Sequence, residues 1–294
     1  MRKETIYALG FFDGVHLGHQ ALLRACCEMA EEGGFRAGVV TFTTHPDTLV
    51  LGTTPSLINT SRDRRRILKY YGVQRVVELN FDQALMTMPW QDFFTLLQEK
   101  YGAAGFVCGH DFRFGNKGEG TATHLKKLCE EKNMPCAVIP EQKIGEITVS
   151  STHIRSLLEN GEMAEAVRFL GHNHIISGEV VSGRKLGRML GIPTANLVLP
   201  KEVVMPKQGV YAGKAEVNGK SYMAVTNIGS RPTVGGHHVT VEAWILDFEG
   251  EIYGENLTLS LCHFLREEKK FENTGALQAE IQKNALQTRK LLGK

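Results

Sequence analysis

Two histidines, His16 and His19, lie in the run Gly10-Phe11-Phe12-Asp13-Gly14-Val15-His16-Leu17-Gly18-His19. The run follows a short apolar stretch, Ile6 to Leu9, and precedes an amphipathic one, Ala21 to Ala30. It therefore reads as a strand, a glycine-rich turn and a helix start. The first N–H groups of a helix are unpaired and its dipole is positive there, so such a turn offers an anion site. His16 and His19 are one helical turn apart and share a face. A protonated or N–H-donating imidazole suits a phosphate oxygen whose charge rises during transfer. The same residues fit a capped helix with two surface histidines. They also fit a zinc site, although no third ligand of matching spacing is evident. The spacing is neither that of a P-loop nor that of a dinucleotide fingerprint.

A second dense run is Gly183-Arg184-Lys185-Leu186-Gly187-Arg188-Met189-Leu190-Gly191-Ile192-Pro193-Thr194-Ala195-Asn196-Leu197. Its glycines and cations could wrap a polyphosphate. Thr194 and Asn196, two apart on an extended segment, face one side. Their oxygens are hard ligands of the kind Mg²⁺ takes alongside phosphates and water. The run equally fits a basic surface loop followed by a strand. Three shorter elements accompany these two runs. His45-Pro46 fits a turn at a strand end. Gly109-His110-Asp111-Phe112-Arg113-Phe114-Gly115 fits a ring-binding loop, or a loop pinned by buried Phe side chains. In Ser150-Ser151-Thr152-His153-Ile154-Arg155, hydroxyls, open N–H groups and a guanidinium could grip a second phosphate, or simply cap a helix.

The elements that must position these residues alternate in the first half. Strands are predicted at Ile6–Leu9, Ala37–Phe42, Arg75–Asn80, Gly105–Cys108 and Cys136–Ile139. Helices are predicted at Ala21–Glu32, Arg62–Tyr71, Trp90–Tyr101 and Thr123–Lys132, with Ser61 as a cap, Pro89 near a start, and Gly72 and Gly102 as stops. That alternation implies a parallel sheet covered on both faces, with ligands beyond the carboxyl ends of its strands. A short helix, Met163–Leu170, lies between Gly161 and Gly171 and is expected to belong to this first half. The second half reads as antiparallel. Strands are predicted at Val210–Val217, Tyr222–Ile228, Val239–Phe248 and Leu257–Phe264, with a hairpin at Asn218-Gly219 and a tight turn at Glu249-Gly250. A helix from Gly275 to Leu292 closes a barrel or sandwich.

The 294 residues carry a net charge of +2, which gives no sign of bulk nucleic-acid binding. No apolar run approaches membrane-spanning length, and the start lacks a secretory apolar region. Cys26, Cys27, Cys108, Cys129, Cys136 and Cys262 form no C-x-x-C pair, so free, mostly buried thiols in a cytoplasmic protein are expected.

In their order, Gly10-x-Phe12-Asp13-Gly14-x-His16-x-Gly18-His19, His45-Pro46, Gly109-x-Asp111-Phe112-x-Phe114-Gly115 and Ser151-Thr152-x-x-Arg155 resemble the adenylyltransferase half of bacterial bifunctional riboflavin kinase/FAD synthetases. The run from Gly183 to Asn196 resembles the flavokinase signature. Gly209-Val210-Tyr211, Asn227-Ile228-Gly229-x-Arg231-Pro232-Thr233, Glu242 and Phe264-Leu265-Arg266 agree downstream. The resemblance implies an α/β chain. Residues 1–171 would be a parallel-sheet, Rossmann-like nucleotidyltransferase (FMN adenylyltransferase) domain. Residues 172–294 would be an antiparallel β-barrel riboflavin kinase domain with a terminal helix. It implies ATP and flavins as ligands, Mg²⁺ on Thr194 and Asn196, and Glu242 as the base that accepts a proton from a ribityl hydroxyl. His16, His19, Ser151, Thr152 and Arg155 would steady the triphosphate and the departing pyrophosphate. Gly10, Phe12, Asp13, Gly14, Gly18, His45, Asp111 and Phe112 would line the nucleotide and flavin site. Gly183, Lys185, Gly187, Arg188, Asn227 and Arg266 would do so in the kinase half.

The chain departs from the family pattern at four places. Phe11 replaces a small polar residue, His172-Asn173-His174 a common Arg-Pro-Tyr, and Trp244 a frequent His, while Lys117-Gly118-Glu119 differs from the usual basic loop. Phe11 fits either a neutral packing change or an altered flavin or nucleotide fit. The rival readings are a paralogue with one active half, a flavin-binding regulator without turnover, and nucleotidyl transfer to another acceptor.

Overall fold

The computed structural model describes residues 4–183, 187, 191–200, 202–233 and 236–293, with backbone alone at 231–233 and 236–238. Lys185 and Arg188, expected at the kinase site, lie outside the described residues. Contacts divide the chain into two units. The first holds Met1–Leu57 and Arg64–Ser151, the second Ile58–Asp63 and Thr152–Lys294.

In chain order the first unit runs β1 (Thr5–Leu9), α1 (Leu17–Glu32), β2 (Arg36–Phe42), α2 (Pro46–Val50), α3 (Ser61–Tyr70), β3 (Arg75–Leu79), α4 (Gln83–Met86), α5 (Trp90–Tyr101), β4 (Ala103–Gly109), β5 (Arg113–Phe114), β6 (Gly120–Thr121), α6 (Ala122–Glu131), β7 (Cys136–Ile139), β8 (Lys143–Ile144) and β9 (Ile147–Thr148). Five strands form one sheet in the order β3-β2-β1-β4-β7, and every pairing is parallel. β1 is buried along its whole length, as a central parallel strand must be. Tyr7 and Leu9 pack with Phe93, Phe94 and Leu97 of α5 and Leu125 of α6, while α1 lies against β1 and β2. The expected punctuation holds at α5, which starts after Pro89 and stops where Gly102 turns left-handed at φ 67°. The cap of α3 is a correction. The Asp63 N–H donates to Thr60 Oγ1 at 3.0 Å, and Ser61 is already the first helical residue. Two neighbouring hydroxyls compete for one cap, and spacing alone does not choose between them.

The second unit continues through α7 (Ser151–Asn160), α8 (Met163–Leu170), β10 (His174–Val181), β11 (Ala195–Val198), β12 (Gly209–Val217), β13 (Lys220–Thr233), β14 (Gly236–Ile245), β15 (Asn256–Arg266) and α9 (Thr274–Leu292). Six strands close into a barrel, β10-β11-β14-β13-β12-β15, and all the pairings are antiparallel. Asn218 and Gly219 both take positive φ, 50° and 75°, the geometry a two-residue hairpin needs. α8 packs on β15 and β10 and so groups by contact with the barrel rather than with the parallel sheet. Residues 58–63 also join this unit: Ser177 Oγ donates to Asp63 Oδ1 at 2.7 Å inside it. All six cysteines are free, and four of them are buried.

His174 on β10 is fully buried, and neither ring nitrogen finds a hydrogen-bond partner among the described residues. Burial, with His172 nearby, pushes its pKa from 6.5 down to about 3. Above pH 6.5 the ring is neutral in both states, so its titration contributes nothing. Below it the unfolded chain takes up a proton that the folded chain refuses, down to about pH 3. Stability is therefore expected to fall by about 1.4 kcal/mol per pH unit in that window from this one group. Urea melts of His174→Phe between those limits should show a flatter acid decline than the parent protein. An equally steep one would remove His174 from the cause.

Candidate functional site

The first candidate site stands at the carboxyl ends of β1, β2 and β4. The strand order reverses between β1 and β4, and such a switch point opens the crevice where α/β sheets hold ligands. The turn after β1 is strained. Phe12 and Val15 are left-handed at φ 60° and 44°, which costs about 1–3 kcal/mol each. Hydrogen bonds hold the turn in this form from three elements. Thr41 Oγ1 of β2 donates to Phe11 O at 2.8 Å, Gln20 Nε2 of α1 to Val15 O at 2.9 Å, and Ser151 Oγ to Asp13 O at 2.9 Å.

His16 is the N-cap of α1, its Nδ1 accepting the His19 N–H at 3.3 Å. The two imidazoles stack, with centroids 3.7 Å apart and planes 16° from parallel. Gly18 permits this, because a Cβ there would stand 3.1 Å from His16 Cε1. Phe12 is fully buried with its ring 5.0 Å from that of His19, so it forms the floor of the pair. Asp13 is buried as well. His19 Nδ1 is buried and unpartnered among the described residues. Burial, then His16 and Arg64, hold the His19 pKa well below the ordinary imidazole range, so the ring is neutral. Among the described residues no cluster of three His, Cys, Asp or Glu could hold a metal ion, so the zinc reading finds no third ligand.

The neighbouring loops fill out the edge. His45 caps α2, its Nδ1 accepting from the Asp47 N–H at 3.2 Å, and its ring meets Phe11 edge-on at 4.5 Å. After β4, Asp111 is exposed and Phe112 half-buried. Phe112 stacks on Phe114, which Trp90 and Phe93 pin in turn. α7 begins at Ser151 and carries Thr152 as its second residue and Arg155 one turn on.

The second candidate site is a row across the barrel. Asn196 on β11 pairs with Glu242 on β14, Glu242 with Asn227 on β13, Asn227 with Val210 on β12, and Val210 with Arg266 on β15. Directly opposed residues in antiparallel strands share a face, so four polar side chains from separate stretches of sequence meet on one wall. They line a cavity of about 370 Å³, the size of a small-molecule site, together with Trp244. A second, smaller cavity is bounded by Gly183, Phe248, Ile252 and Tyr253. Thr194 and Asn196 line both cavities, so a ligand in either one reaches the same pair of oxygens. Gly183 gives Asn196 its room, since a Cβ there would fall 2.4 Å from Asn196 Nδ2. Gly187 also lines the larger cavity. Arg266 donates to Asn284 Oδ1 from Nε and Nη2 at 3.2 and 3.0 Å and pairs with Glu280 at 3.3 Å, so α9 fixes its guanidinium at the wall. Asn227 Nδ2 donates to Glu268 Oε1 at 3.1 Å.

Residues that sequence reasoning did not single out are Arg64, buried under the Phe11 ring, and Asn284, which holds Arg266. A run of arginines at the head of a helix reads as a solvated face, and nothing local marks Arg64 as the buried one.

Comparison with known proteins agrees with both halves. The FAD synthetase family matches residues 1–153 and the riboflavin kinase family (Flavokinase) residues 170–292. The bifunctional riboflavin kinase/FMN adenylyltransferase of Listeria monocytogenes is 32% identical, the alignment covering 99% of this chain and 93% of the relative. That of Escherichia coli is 34% identical over 99% of this chain and 94% of the relative. A crystal structure described as a macrolide-efflux protein from Streptococcus pneumoniae superposes with a TM-score of 0.87 at 30% identity, covering 98% of this chain and 95% of the other. Among the described residues no helix is long and apolar enough to cross a membrane. Fold and family matches together define a two-site transferase, a nucleotidyltransferase sheet and a kinase barrel in one chain. The chain belongs to the family of bifunctional riboflavin kinase/FMN adenylyltransferases.

Proposed function

We propose that the barrel phosphorylates riboflavin with ATP and that the parallel-sheet half then joins the FMN to the AMP part of a second ATP. The chain is an enzyme of FAD biosynthesis; the roles of its residues are our reading. The observation that carries the first step is the wall Asn196–Glu242–Asn227 and the two cavities that share Thr194 and Asn196. Riboflavin in the larger cavity would bring its ribityl 5′-hydroxyl to Glu242. The hydroxyl oxygen attacks the γ-phosphorus of ATP, Glu242 accepts the proton, and ADP leaves. ATP in the smaller cavity would direct its phosphates to the shared edge. Thr194 and Asn196 present a hydroxyl and an amide oxygen there, a donor set that fits Mg²⁺. Bound there, the ion would neutralise phosphate charge. Gly183, Gly187, Lys185 and Arg188 would wrap the polyphosphate, and Arg266 would add a fixed positive charge.

In the second step an oxygen of the FMN phosphate attacks the α-phosphorus of ATP, and pyrophosphate leaves. The stacked His16 and His19 at the N-terminus of α1 would donate N–H groups to the phosphate oxygens as their charge rises. Ser151, Thr152 and Arg155 would hold the departing pyrophosphate. Gly10, Gly14 and Gly18 keep the turn narrow enough for backbone N–H groups to approach, and His45, Asp111 and Phe112 would border the nucleotide and flavin. We place the functional boundary near residue 171 and the enzyme in the cytoplasm.

The test is chromatography of products from purified protein with ATP and Mg²⁺, run separately on riboflavin and on FMN. FMN and then FAD are expected from riboflavin, and FAD from FMN. FMN without FAD from either substrate would mean that only one half is active. Flavin binding with no product would favour a regulator.

A further inference from the structure

Glu268 lies between β15 and α9 and is exposed, and an exposed glutamate ordinarily belongs to a solvated face. Two observations set this one apart. Its Oε1 accepts from Asn227 Nδ2 at 3.1 Å. Gly229, two residues along β13 from Asn227 and on the same face, makes the seat for that oxygen, since a Cβ there would clash with Oε1. Glycine inside a strand weakens it and marks a close approach, and here the approaching group is this carboxylate. The bond settles which way the Asn227 amide faces. A carboxylate only accepts, so the NH₂ end is the one turned to Glu268. Asn227 lines the larger cavity, and its Oδ1 is left as the acceptor for what binds there.

We propose that Glu268 is a positioning residue for riboflavin phosphorylation: it holds the Asn227 amide so that Oδ1 accepts a hydrogen bond from a secondary hydroxyl of the ribityl chain. The proposal rests on the reading that the barrel phosphorylates riboflavin at Glu242. Asn227 and Glu242 are directly opposed on β13 and β14, and the Cα atoms of such a pair are about 5 Å apart. With the terminal hydroxyl at Glu242, the hydroxyls next to it on the chain pass Asn227. Each of them is a donor, and an amide oxygen is its complement. Reversed, the amide would set its oxygen against the Glu268 carboxylate, two acceptors face to face. The hydroxyl bond is made before the phosphoryl group moves and persists while it moves. It therefore acts on binding rather than on the chemical step.

The experiment uses full-length Glu268→Ala, Glu268→Gln, Asn227→Ala and the double variant Asn227→Ala/Glu268→Ala. Each is assayed on riboflavin and on its 3′,4′-dideoxy analogue, which keeps the hydroxyl to be phosphorylated. The parent should favour riboflavin by about tenfold in kcat/KM, the worth of one hydrogen bond. Glu268→Ala should raise KM for riboflavin by about tenfold, keep kcat within about twofold and leave KM for the analogue where it was. Gln can still accept from Nδ2, so Glu268→Gln should stay near the parent. The double variant should match Asn227→Ala alone, because Glu268 acts through that amide. A rise in KM on both flavins, no rise on either, a parent without preference for riboflavin, or a further loss in the double variant would overturn the proposal. If Glu268→Ala loses kcat as well, Gly229→Ala, which displaces the same carboxylate, decides the matter: KM must rise on riboflavin and not on the analogue. Should the parent protein make no FMN from riboflavin, the reading beneath it fails instead.

Discussion

Replacing Glu242 by glutamine is expected to cut FMN formation from riboflavin by about 10²- to 10⁴-fold, while FAD formation from supplied FMN keeps its rate. Gln has the size of Glu and the same hydrogen-bonding reach, so the pairings of Glu242 with Asn196 and Asn227 across the barrel persist. What it lacks is a site for the proton of the attacking hydroxyl. The loss should therefore appear in kcat, with KM for riboflavin near that of the parent, since the carboxylate acts mainly as the oxygen attacks. A product assay on both flavins, with flavin binding measured alongside, separates three outcomes. Binding without FMN is the expected result. Unchanged FMN formation would remove Glu242 from the role of base. Loss of binding would make it a wall residue of the cavity.

The local half of this architecture was legible because its signals are local. The run Ile6–Leu9 followed by the glycine-rich turn marks β1 and the head of α1, and Pro89 and Gly102 bracket α5 where helix chemistry says they should. Asn218-Gly219 names its hairpin for the same reason: few other residues take positive φ at both central positions. What stayed hidden depends on partners far away in sequence. Residues 58–63 join the barrel unit through bonds such as that of Ser177 to Asp63, and no periodicity encodes that pairing. β10 was not predicted as a strand, although its partner β15 was. The residues of the kinase wall were each identified from the family signature, but their alignment in one row is a matter of barrel register. Register is set by the closing of six strands and not by any one of them.

The departures from the family pattern acquire physical content in the same way. Trp244 lies two residues from Glu242 on β14, hence on the same face, and it lines the larger cavity beside the proposed base. His174 is an uncharged ring in the barrel interior, where its titration matters for acid stability rather than for catalysis. Phe11 belongs with Arg64. A reversion of Phe11 to a small polar residue would uncover a buried cation, so such a reversion should weaken this enzyme instead of repairing it.

His16 carries two duties that one substitution can separate. It caps α1 through Nδ1, and its ring stacks on His19 at the proposed phosphate site. Asparagine is among the best N-caps, so His16→Asn should keep the helix end and leave stability within about 0.5 kcal/mol of the parent. Alanine cannot accept the His19 N–H, and His16→Ala should lose about 1 kcal/mol more. Both variants lack the imidazole donor, and both should form FAD from FMN about 10²- to 10³-fold more slowly. Riboflavin phosphorylation should survive in each, because the barrel wall is made of other residues. Thermal melts and the two product assays, run on the same preparations, place the variants on separate axes. Equal activity losses with unequal melting temperatures would assign the chemistry to the ring and the stability to the cap. Full FAD formation by His16→Asn would mean that His16 serves α1 alone, and the anion site at this helix end would have to be read from His19 and the backbone N–H groups without it.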